Sequence, residues 1–399
     1  MRSEIRRMLL IVTLVMGPAM AAQNYYVSTA GSDSNNGSST APWKTITHAA
    51  ALAQAGWTVH VAPGTYNEGV IQISASGTSS SPITFISDTQ WAAKVADSAW
   101  HAFYLTGSYI VINGFEVYMT NPDKASDIID IYGTHEKVVN NYVHELDNTG
   151  PSCWGGGAIA GPPSSYLTVT GNTIANVGFS TCDNVNGIYL GGDHLYIANN
   201  IVRNVVGNCI QLWPYVSYSQ IMNNDVSYCG GSFTNQAGIT IGTDVNNQGP
   251  LPGSNHNVVG NNIVRNTWFG IRECCSDSGY LGTDEQYLNN DVLNAGTANY
   301  YLVKSGATPQ NPLSVDPLYV SYSTGQSCGS ASCGGGIGNY SLQANSPLID
   351  KGTSSYAPSA DFSGAARPQG AGFDIGAYEY TSTSTAPPLP PSQLTAIVH

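Results

Sequence analysis

Short stretches of alternating apolar and polar residues recur along the chain, and most of them end in a pair of asparagines. In each copy an apolar-x-apolar stretch precedes Asn-Asn or Gly-Asn, and a second stretch with Val or Ile follows. The second asparagine falls at Asn141, Asn172, Asn200, Asn224, Asn262 and Asn290, and an earlier copy has Phe115 in that place. A third stretch, such as Gly187-Ile188-Tyr189-Leu190, completes the unit. The pattern predicts three short strands per repeat of 24 to 38 residues, with no helical periodicity between them.

A repeat of this kind cannot bury its own apolar side, so its copies must stack. Each strand then pairs with its copy about 4.8 Å away, which builds three parallel sheets around a narrow core of Ile, Val and Leu. Asparagine suits a fixed corner because it tolerates the left-handed backbone conformation and its amide can bond to the next asparagine in the stack. We therefore predict an all-β parallel β-helix.

Motifs at both ends of the repeat region extend this interpretation. Near the amino end these are Tyr25-Tyr26-Val27-Ser28, Trp43-Lys44-Thr45-Ile46 and Thr58 to Tyr66, and near the carboxyl end Ser346 to Gly352, Arg367-Pro368-Gln369-Gly370 and Phe373 to Glu379. Together with the repeat, they resemble the secreted right-handed parallel β-helix proteins of the pectate-lyase-like superfamily over residues 23 to 380. The resemblance implies a right-handed helix of about 7 to 10 coils with a short amino-terminal capping helix. It implies no single reaction, because the superfamily includes lyases, hydrolases, epimerases and non-catalytic adhesins.

The segments outside the repeat region predict export. Residues 1–22 combine Arg2, Arg6 and Arg7 with an apolar run from Met8 to Met16 and a small-residue cleavage region, which is typical of a secretory signal peptide. We expect a secreted, extracellular protein, with the periplasm as the other possible location and no membrane-spanning segment. Residues 381–399 predict a Ser/Thr/Pro linker followed by the start of a fibronectin-like module or by a disordered extension.

Composition and charge narrow the range of possible folds and functions. Only 10% of the residues are charged, while 44 are Gly and 21 are Pro, which disfavours a helix-rich fold. The net charge of −13 excludes a nucleic-acid binder that depends on a basic patch. It also means that binding a polyanion needs a metal ion or a local basic cluster.

The chain has eight cysteines, all after the predicted signal peptide, and scattered spacing favours disulfides over zinc. Cys328 and Cys333 flank a short loop and are the simplest local pair. Cys153 and Cys182 lie at similar distances past their asparagine corners, so adjacent coils can bring them together. Cys209 with Cys229, and a vicinal bridge between Cys274 and Cys275, complete the expected set.

One face of the predicted helix presents a row of outward side chains. If Ile129, Ile188, Ile210, Ile239 and Ile271 face inward, the outward row is Asp130, Tyr189, Gln211, Thr240 and Arg272, with Ala160 in the intervening coil. Such a row places one side chain about every 4.8 Å, close to the repeat of an extended sugar chain. It therefore predicts a groove for an extended polysaccharide, unless these residues are ordinary solvent-facing positions.

The candidate catalytic residues are Arg272, Glu273, Tyr189 and Asp130. Glu273 takes an inward position and so needs a partner or a raised pKa, unless it is a solvated residue at the end of the core. The candidate substrate-binding residues are Gln211, Thr240, Trp213, His144 and Lys304. Asp147 and Asp183, with Asp130, are candidate ligands for Ca²⁺, which prefers oxygen ligands.

Three functions remain open at this point. A lyase would neutralise a uronate carboxylate, remove the C5 proton with Arg272, Tyr189 or His144, and support the leaving oxygen. A glycoside hydrolase would use a carboxylate pair in the same groove. A non-catalytic adhesin or carbohydrate-binding scaffold would use the groove for binding alone. The first is our leading hypothesis, with a monomer acting on a polysaccharide and no nucleic-acid or membrane partner.

Overall fold

The fold is taken from a computed structural model that describes residues 23–97, 100–120, 127–146, 155–178, 184–230, 235–243, 254–275, 284–322 and 338–381. The predicted signal peptide and nearly all of the carboxyl-terminal tail lie outside these residues. So do Asp147, Asp183 and four of the cysteines, Cys153, Cys182, Cys328 and Cys333, and the side chain of Cys275.

Within the described residues, sheet A contains ten parallel strands, one from each successive turn of the chain. Its strands are β1 (Gln23–Val27), β2 (Trp57–Val61), β5 (Ile83–Ser87), β8 (Ile110–Asn113), β11 (Lys137–Val139), β15 (Thr168–Thr170), β18 (Tyr196–Ala198), β21 (Gln220–Met222), β24 (Val258–Gly260) and β26 (Gln286–Leu288). A short helix, α1 (Ile46–Leu52), packs against β1 at the amino end and buries Ile46, Ala49 and Ala50. The capping helix predicted for this end is therefore present.

Two further parallel ladders, sheets B and C, complete each coil and join where two long strands run through both. Sheet B contains β3 (Gly64–Tyr66), β6 (Ala93–Asp97), β9 (Glu116–Met119), β12 (Tyr142–Leu146), β16 (Thr173–Val177), β19 (Ile201–Val205), β22 (Asp225–Cys229) and the first parts of β25 (Ile263–Cys275) and β27 (Asp291–Tyr301). Sheet C contains β4 (Ile71–Ile73), β7 (Phe103–Leu105), β10 (Asp127–Ile131), β13 (Gly156–Ala160), β17 (Val185–Asp193), β20 (Ile210–Ser217), β23 (Ala237–Thr243) and the remaining parts of β25 and β27. The short β14 (Ser164–Ser165) pairs with the end of β17. The three-sheet parallel β-helix predicted from the repeat is confirmed.

At the asparagine corner, the two residues of each pair have different structural roles. The first residue, for example Asn199 or Asn223, takes the left-handed conformation with φ near +54°. The second, such as Asn200, is fully buried and donates its side-chain amide to Oδ1 of Asn224 at 3.0 Å and to a sheet A carbonyl at 2.8 Å. This ladder continues from Asn141 to Asn290, so every buried amide in it is satisfied by the coil above or below.

A second corner carries an aromatic stack that the sequence analysis did not find. Its rings alternate between tyrosine and histidine, and every residue has a φ between +51° and +63°. Neighbouring ring centroids lie 4.4 to 5.4 Å apart with nearly parallel planes. The members of this Tyr/His stack are Tyr109, His135, Tyr166, His194, Tyr218 and His256.

The closing segment, residues 338–381, covers the asparagine corner and part of sheet B together with β28 (Tyr319–Ser321). Its β29 (Asn339–Leu342) pairs antiparallel with β28. Asp225 of sheet B bonds to the Tyr319 hydroxyl and accepts the Ala377 N–H at 3.0 Å. A buried ion pair, Arg367 with Glu379 at 2.5 Å, holds the segment together. The predicted groove lies on sheet C.

Candidate functional site

The outward row predicted on one face runs along sheet C in register. Successive coils pair Asp130 with Ala160, Ala160 with Tyr189, and Tyr189 with Gln211. The same ladder continues through Thr240 and Arg272. The structure extends it at both ends, with Tyr104 before Asp130 and Tyr301 after Arg272. The isoleucines expected to face inward are fully buried, so the alternation predicted for these strands is correct.

Near the start of the row lies a cavity of about 300 Å³, here called the acidic pocket. Asp127, Asp130, Tyr189 and Trp213 contribute to its lining. His101, Asp127 and Asp130 bring one ligand atom each within 4.8 Å of one another. Trp213 lies over Gly242, where a Cβ atom would come within 2.6 Å of the indole ring, so the glycine makes room for it.

The two carboxylates of the acidic pocket disfavour each other's charge. Asp130 is almost fully buried, and burial together with the charge of Asp127 raises its pKa to about 8. Asp127 accepts the N–H of Gly157 from the next coil at 2.8 Å, which fixes its orientation. Nδ1 of His101 lies 3.5 Å from Asp130. Such a set favours either a shared proton or a bound cation.

The candidate metal site among the described residues shares Asp130 with the expected one. The expected ligands Asp147 and Asp183 lie outside the described residues, whereas Asp130 falls in a cluster with Asp127 and His101. The sequence signal for this cluster was the Asp127-x-x-Asp130 spacing on one strand, with His101 one coil earlier.

Further along the row lies a second cavity of about 480 Å³, here called the cationic pocket. Its lining includes Arg272, Lys304, Gln211, Asn208 and Phe269. The guanidinium of Arg272 lies 5.5 Å from the Phe269 ring centroid, and burial lowers its pKa to about 10. Asn208 donates to Oε1 of Gln211 at 3.0 Å, which orients that amide.

Two predicted site residues have supporting roles at this pocket. Thr240 is fully buried and donates its hydroxyl to Asn208 at 2.8 Å, so it holds the groove floor rather than facing a ligand. Glu273 is 1% exposed and accepts the N–H groups of Lys304 and Ser305 at 2.8 and 2.9 Å, besides hydroxyls from Tyr287 and Ser305. The interpretation of Glu273 as a solvated end residue is wrong, because its carboxylate is buried and accepts hydrogen bonds that fix the backbone at Lys304 and Ser305.

His144 lies on a different sheet from the groove. It belongs to β12 of sheet B, where its Nε2 atom is 3.3 Å from Glu116 and its ring stacks on Tyr142. Burial lowers the pKa of His144, but the neighbouring carboxylates of Glu116 and Glu145 raise it by more, so the net shift is upward. His144 therefore lies outside the sheet C row, and its contact with a substrate stays a prediction.

The predicted catalytic set divides between the two pockets. Arg272 is five register steps from Asp130, which at about 4.8 Å per step separates them by about 24 Å. Tyr189, two steps from Asp130, lines the acidic pocket with only Ala160 between them. Asp130 and Tyr189 therefore lie close enough to act on one group, whereas Arg272 lies too far away to act with them.

The disulfide Cys209–Cys229 is present, with a Cα–Cα distance of 5.4 Å, as predicted. Cys274 is also disulfide-bonded. Its pairing with Cys275 stays a prediction, as do the pairs that fall outside the described residues.

Comparisons with known proteins agree with this fold. Residues 25–210 match a family model described as the Pel9A-like, right handed beta helix region. Pectate lyase L of Dickeya chrysanthemi is 31% identical over 150 residues, which are 34% of this chain and 34% of that protein. The uncharacterized protein YwoF of Bacillus subtilis (strain 168) is 28% identical over 153 residues, or 38% of this chain and 28% of that protein. The matches thus span about a third of each curated relative.

A solved structure is similar to this chain over most of its length. The crystal structure of pectate lyase Pel9A is similar over 91% of this chain and 98% of that one, with a TM-score of 0.56 and 18% identity. Among the described residues, no helix is long and apolar enough to cross a membrane. By its repeat, its three sheets and these matches, the chain is a right-handed parallel β-helix protein that is similar to pectate lyases.

Proposed function

We propose that the chain is an exported polysaccharide lyase that cleaves an extended, uronate-containing polysaccharide by β-elimination. The observation that carries the proposal is the cluster of Asp127, Asp130 and His101 beside Tyr189 in a groove with the spacing of a sugar chain. The names of the similar proteins, pectate lyase L and pectate lyase Pel9A, support the same reaction class.

The cluster supports a divalent cation such as Ca²⁺ as a cofactor. Two carboxylates supply hard oxygen donors, and a cation beside them would offset the burial and the charge of Asp127 that raise the pKa of Asp130. The residues that would hold it are Asp127, Asp130 and His101. When bound, such a cation neutralises the substrate carboxylate and thereby makes the C5 proton more acidic.

Tyr189 is the group that we assign to proton transfer. Its phenol lies two coils from Asp130, and the small Ala160 side chain between them leaves space for a sugar ring. Oη of Tyr189 would take the C5 proton and return it to the leaving glycosidic oxygen, while the C4–O bond breaks and the C4–C5 double bond forms. Burial and the charge of Asp127 raise the pKa of Tyr189, so neutralising Asp127 favours the phenolate.

The test is incubation of the purified protein with a panel of polyuronates, followed by ultraviolet absorbance of the unsaturated product. We expect product with one polyuronate, its loss after EDTA treatment and its return with added Ca²⁺. Tyr189→Phe and Asp130→Asn should each lower kcat at least about 100-fold. Asp88→Asn is the matched control, because Asp88 pairs with His60 away from the groove. Absence of unsaturated product from every polyuronate would refute the proposal.

A glycoside hydrolase is the second candidate, and one observation favours it. Asp130, with a pKa of about 8, holds a proton at neutral pH beside Asp127, which is the arrangement of a general acid and a carboxylate partner. This function predicts new reducing ends without ultraviolet absorbance and activity that survives EDTA. Binding without either product would instead support a carbohydrate-binding scaffold.

A further inference from the structure

The cationic pocket concentrates positive charge in an acidic protein. The chain has 13 basic and 26 acidic residues, yet Arg272 and Lys304 lie together at this one cavity. Glu273 is the only carboxylate among the described residues that line it, and its oxygens accept the hydrogen bonds of Ser305, Tyr287 and the Lys304 N–H. The pocket is therefore the kind of local basic cluster that an acidic surface needs to bind a polyanion.

The cationic pocket is also rigid. Arg272 is 8% exposed, lies against the Phe269 ring and donates to the Asn235 carbonyl, so its guanidinium has little freedom. A guanidinium fixed in this way can present its fork of N–H donors to a carboxylate or a sulfate. Glu273 fixes the backbone of Lys304, which keeps the second cation at the same cavity.

Neutral hydrogen-bonding groups complete the cavity. Asn208 donates to the side-chain oxygens of both Gln211 and Gln236, at 3.0 and 2.6 Å, and accepts from Thr240 at 2.8 Å. With its oxygen engaged, Gln211 is left with its NH₂ group as the donor for a ligand. Cations surrounded by fixed amides are suited to an anionic sugar, whose hydroxyls need hydrogen bonds as well.

We propose that the cationic pocket is a distal subsite for an anionic group, a carboxylate or a sulfate, of the polysaccharide chain whose reacting linkage lies at the acidic pocket. The inference rests on the proposed function only in that the polymer lies along sheet C. The register separates Asp130 from Arg272 by about 24 Å, which corresponds to about five sugar units of an extended chain. A short oligosaccharide bound at the acidic pocket cannot reach Arg272, whereas a long one can.

The test measures binding rather than turnover, so it does not depend on the reaction. Calorimetric titration of Tyr189→Phe protein would use oligogalacturonates of about three and about eight units, with sulfated oligosaccharides of matched length in a second arm. Adding Arg272→Gln should weaken binding of the long probe at least about tenfold and leave the short probe within about twofold. Arg272→Lys should recover part of the loss, and Lys304→Gln should show a smaller, length-dependent loss.

Retained binding of the short probe serves as the folding control for each variant, and the two arms decide between carboxylate and sulfate. Equal loss for both probe lengths, or no loss for either probe class, would overturn the subsite. In the catalytic background, Arg272→Gln should raise KM for long substrates with kcat nearly unchanged. A fall in kcat on short substrates would instead make Arg272 part of the reacting centre, as the sequence alone suggested. If no unsaturated product forms but the length dependence holds, the lyase proposal fails and the subsite stands.

Discussion

A buried acid in the core offers a test of how the β-helix is stabilised. Glu136 precedes β11 and is 1% exposed, and neither of its carboxyl oxygens has a hydrogen-bond partner in the described part of the chain. Leu167 and Leu195 occupy the corresponding position in the next two coils, as the backbone bonds from Thr168 to Glu136 and from Tyr196 to Leu167 indicate. Burial raises the pKa of Glu136 from 4.5 to about 8.

The direction of the effect follows from proton linkage. Above pH about 4.5 the unfolded chain releases the proton of Glu136, whereas the folded chain keeps it up to about pH 8. The folded state binds more protons in this range, so the free energy of unfolding falls as the pH rises from about 4.5 to about 8. At 1.36 kcal/mol per pKa unit, the loss is about 3 kcal/mol at pH 7 and approaches about 5 kcal/mol above pH 8.

Glu136→Gln keeps the shape of the side chain and removes the proton equilibrium. Between pH 4 and pH 7 we expect the free energy of unfolding of the variant to gain about 3 kcal/mol relative to wild type. The measurement is urea unfolding, followed by circular dichroism, at unit steps from pH 4 to pH 8. Glu285, whose pKa is also raised to about 8, is present in both proteins and cancels in the difference.

Asp316→Asn is the matched control, because it removes an acid whose side chain is 61% exposed and whose partner, Arg265, does not titrate between pH 4 and pH 8, so the pH dependence should stay close to that of wild type. If the curves of wild type and Glu136→Gln stay parallel from pH 4 to pH 8, Glu136 does not hold a proton in the folded state and the reasoning fails.

Two further substitutions test the corners of the coil. Asn200→Ala removes a side chain that makes four hydrogen bonds to Asn172, Asn224 and Val169, and should lower the free energy of unfolding in urea by about 3 to 5 kcal/mol. Asn204→Ala on the same coil should lower the free energy of unfolding by only about 1 kcal/mol. Equal losses for the two variants would contradict a stabilising role of the asparagine ladder. Tyr166→Ala removes two stacking contacts of the Tyr/His stack and should cost about 1 to 2 kcal/mol, measured by thermal melting, whereas Tyr166→Phe should match wild type.

The sequence predicts the fold well because the requirements of a coil are local and repeat with it. Period-two alternation places the isoleucines inside, and the corner admits asparagine for reasons that hold in every copy. The Tyr/His stack was missed because aromatic residues are not expected at positive φ. The signal was nevertheless present, since each ring lies six residues before the buried asparagine, or Phe115, of its own coil.

The site was predicted less completely, because it depends on contacts between coils that spacing alone does not reveal. The outward row is correct since register preserves alternation, but burial differs along it. Thr240 faces outward and is nonetheless buried, because the Asn208 network covers it. His101 was missed because its partners Asp127 and Asp130 come from the next coil. Two aspartates on one strand indicate a metal site only when a third ligand is known to lie beside them.

The position of the groove follows from how the three sheets use their outward polar side chains. Sheet B commits Asp225 to Tyr319 and Ala377, and Arg265 to the rings of Tyr319 and Tyr322, so its polar groups satisfy the closing segment. Among the described residues, no segment pairs in this way with the sheet C row, and its Asp130 and Arg272 line cavities instead. The described closing segment pairs with outward polar groups of sheet B rather than with the sheet C row. The same repeat can therefore build both a stable side and a binding side. Ligand chemistry in this fold should therefore change through sheet C positions such as Asp130, Tyr189 and Arg272, with the asparagine ladder unchanged.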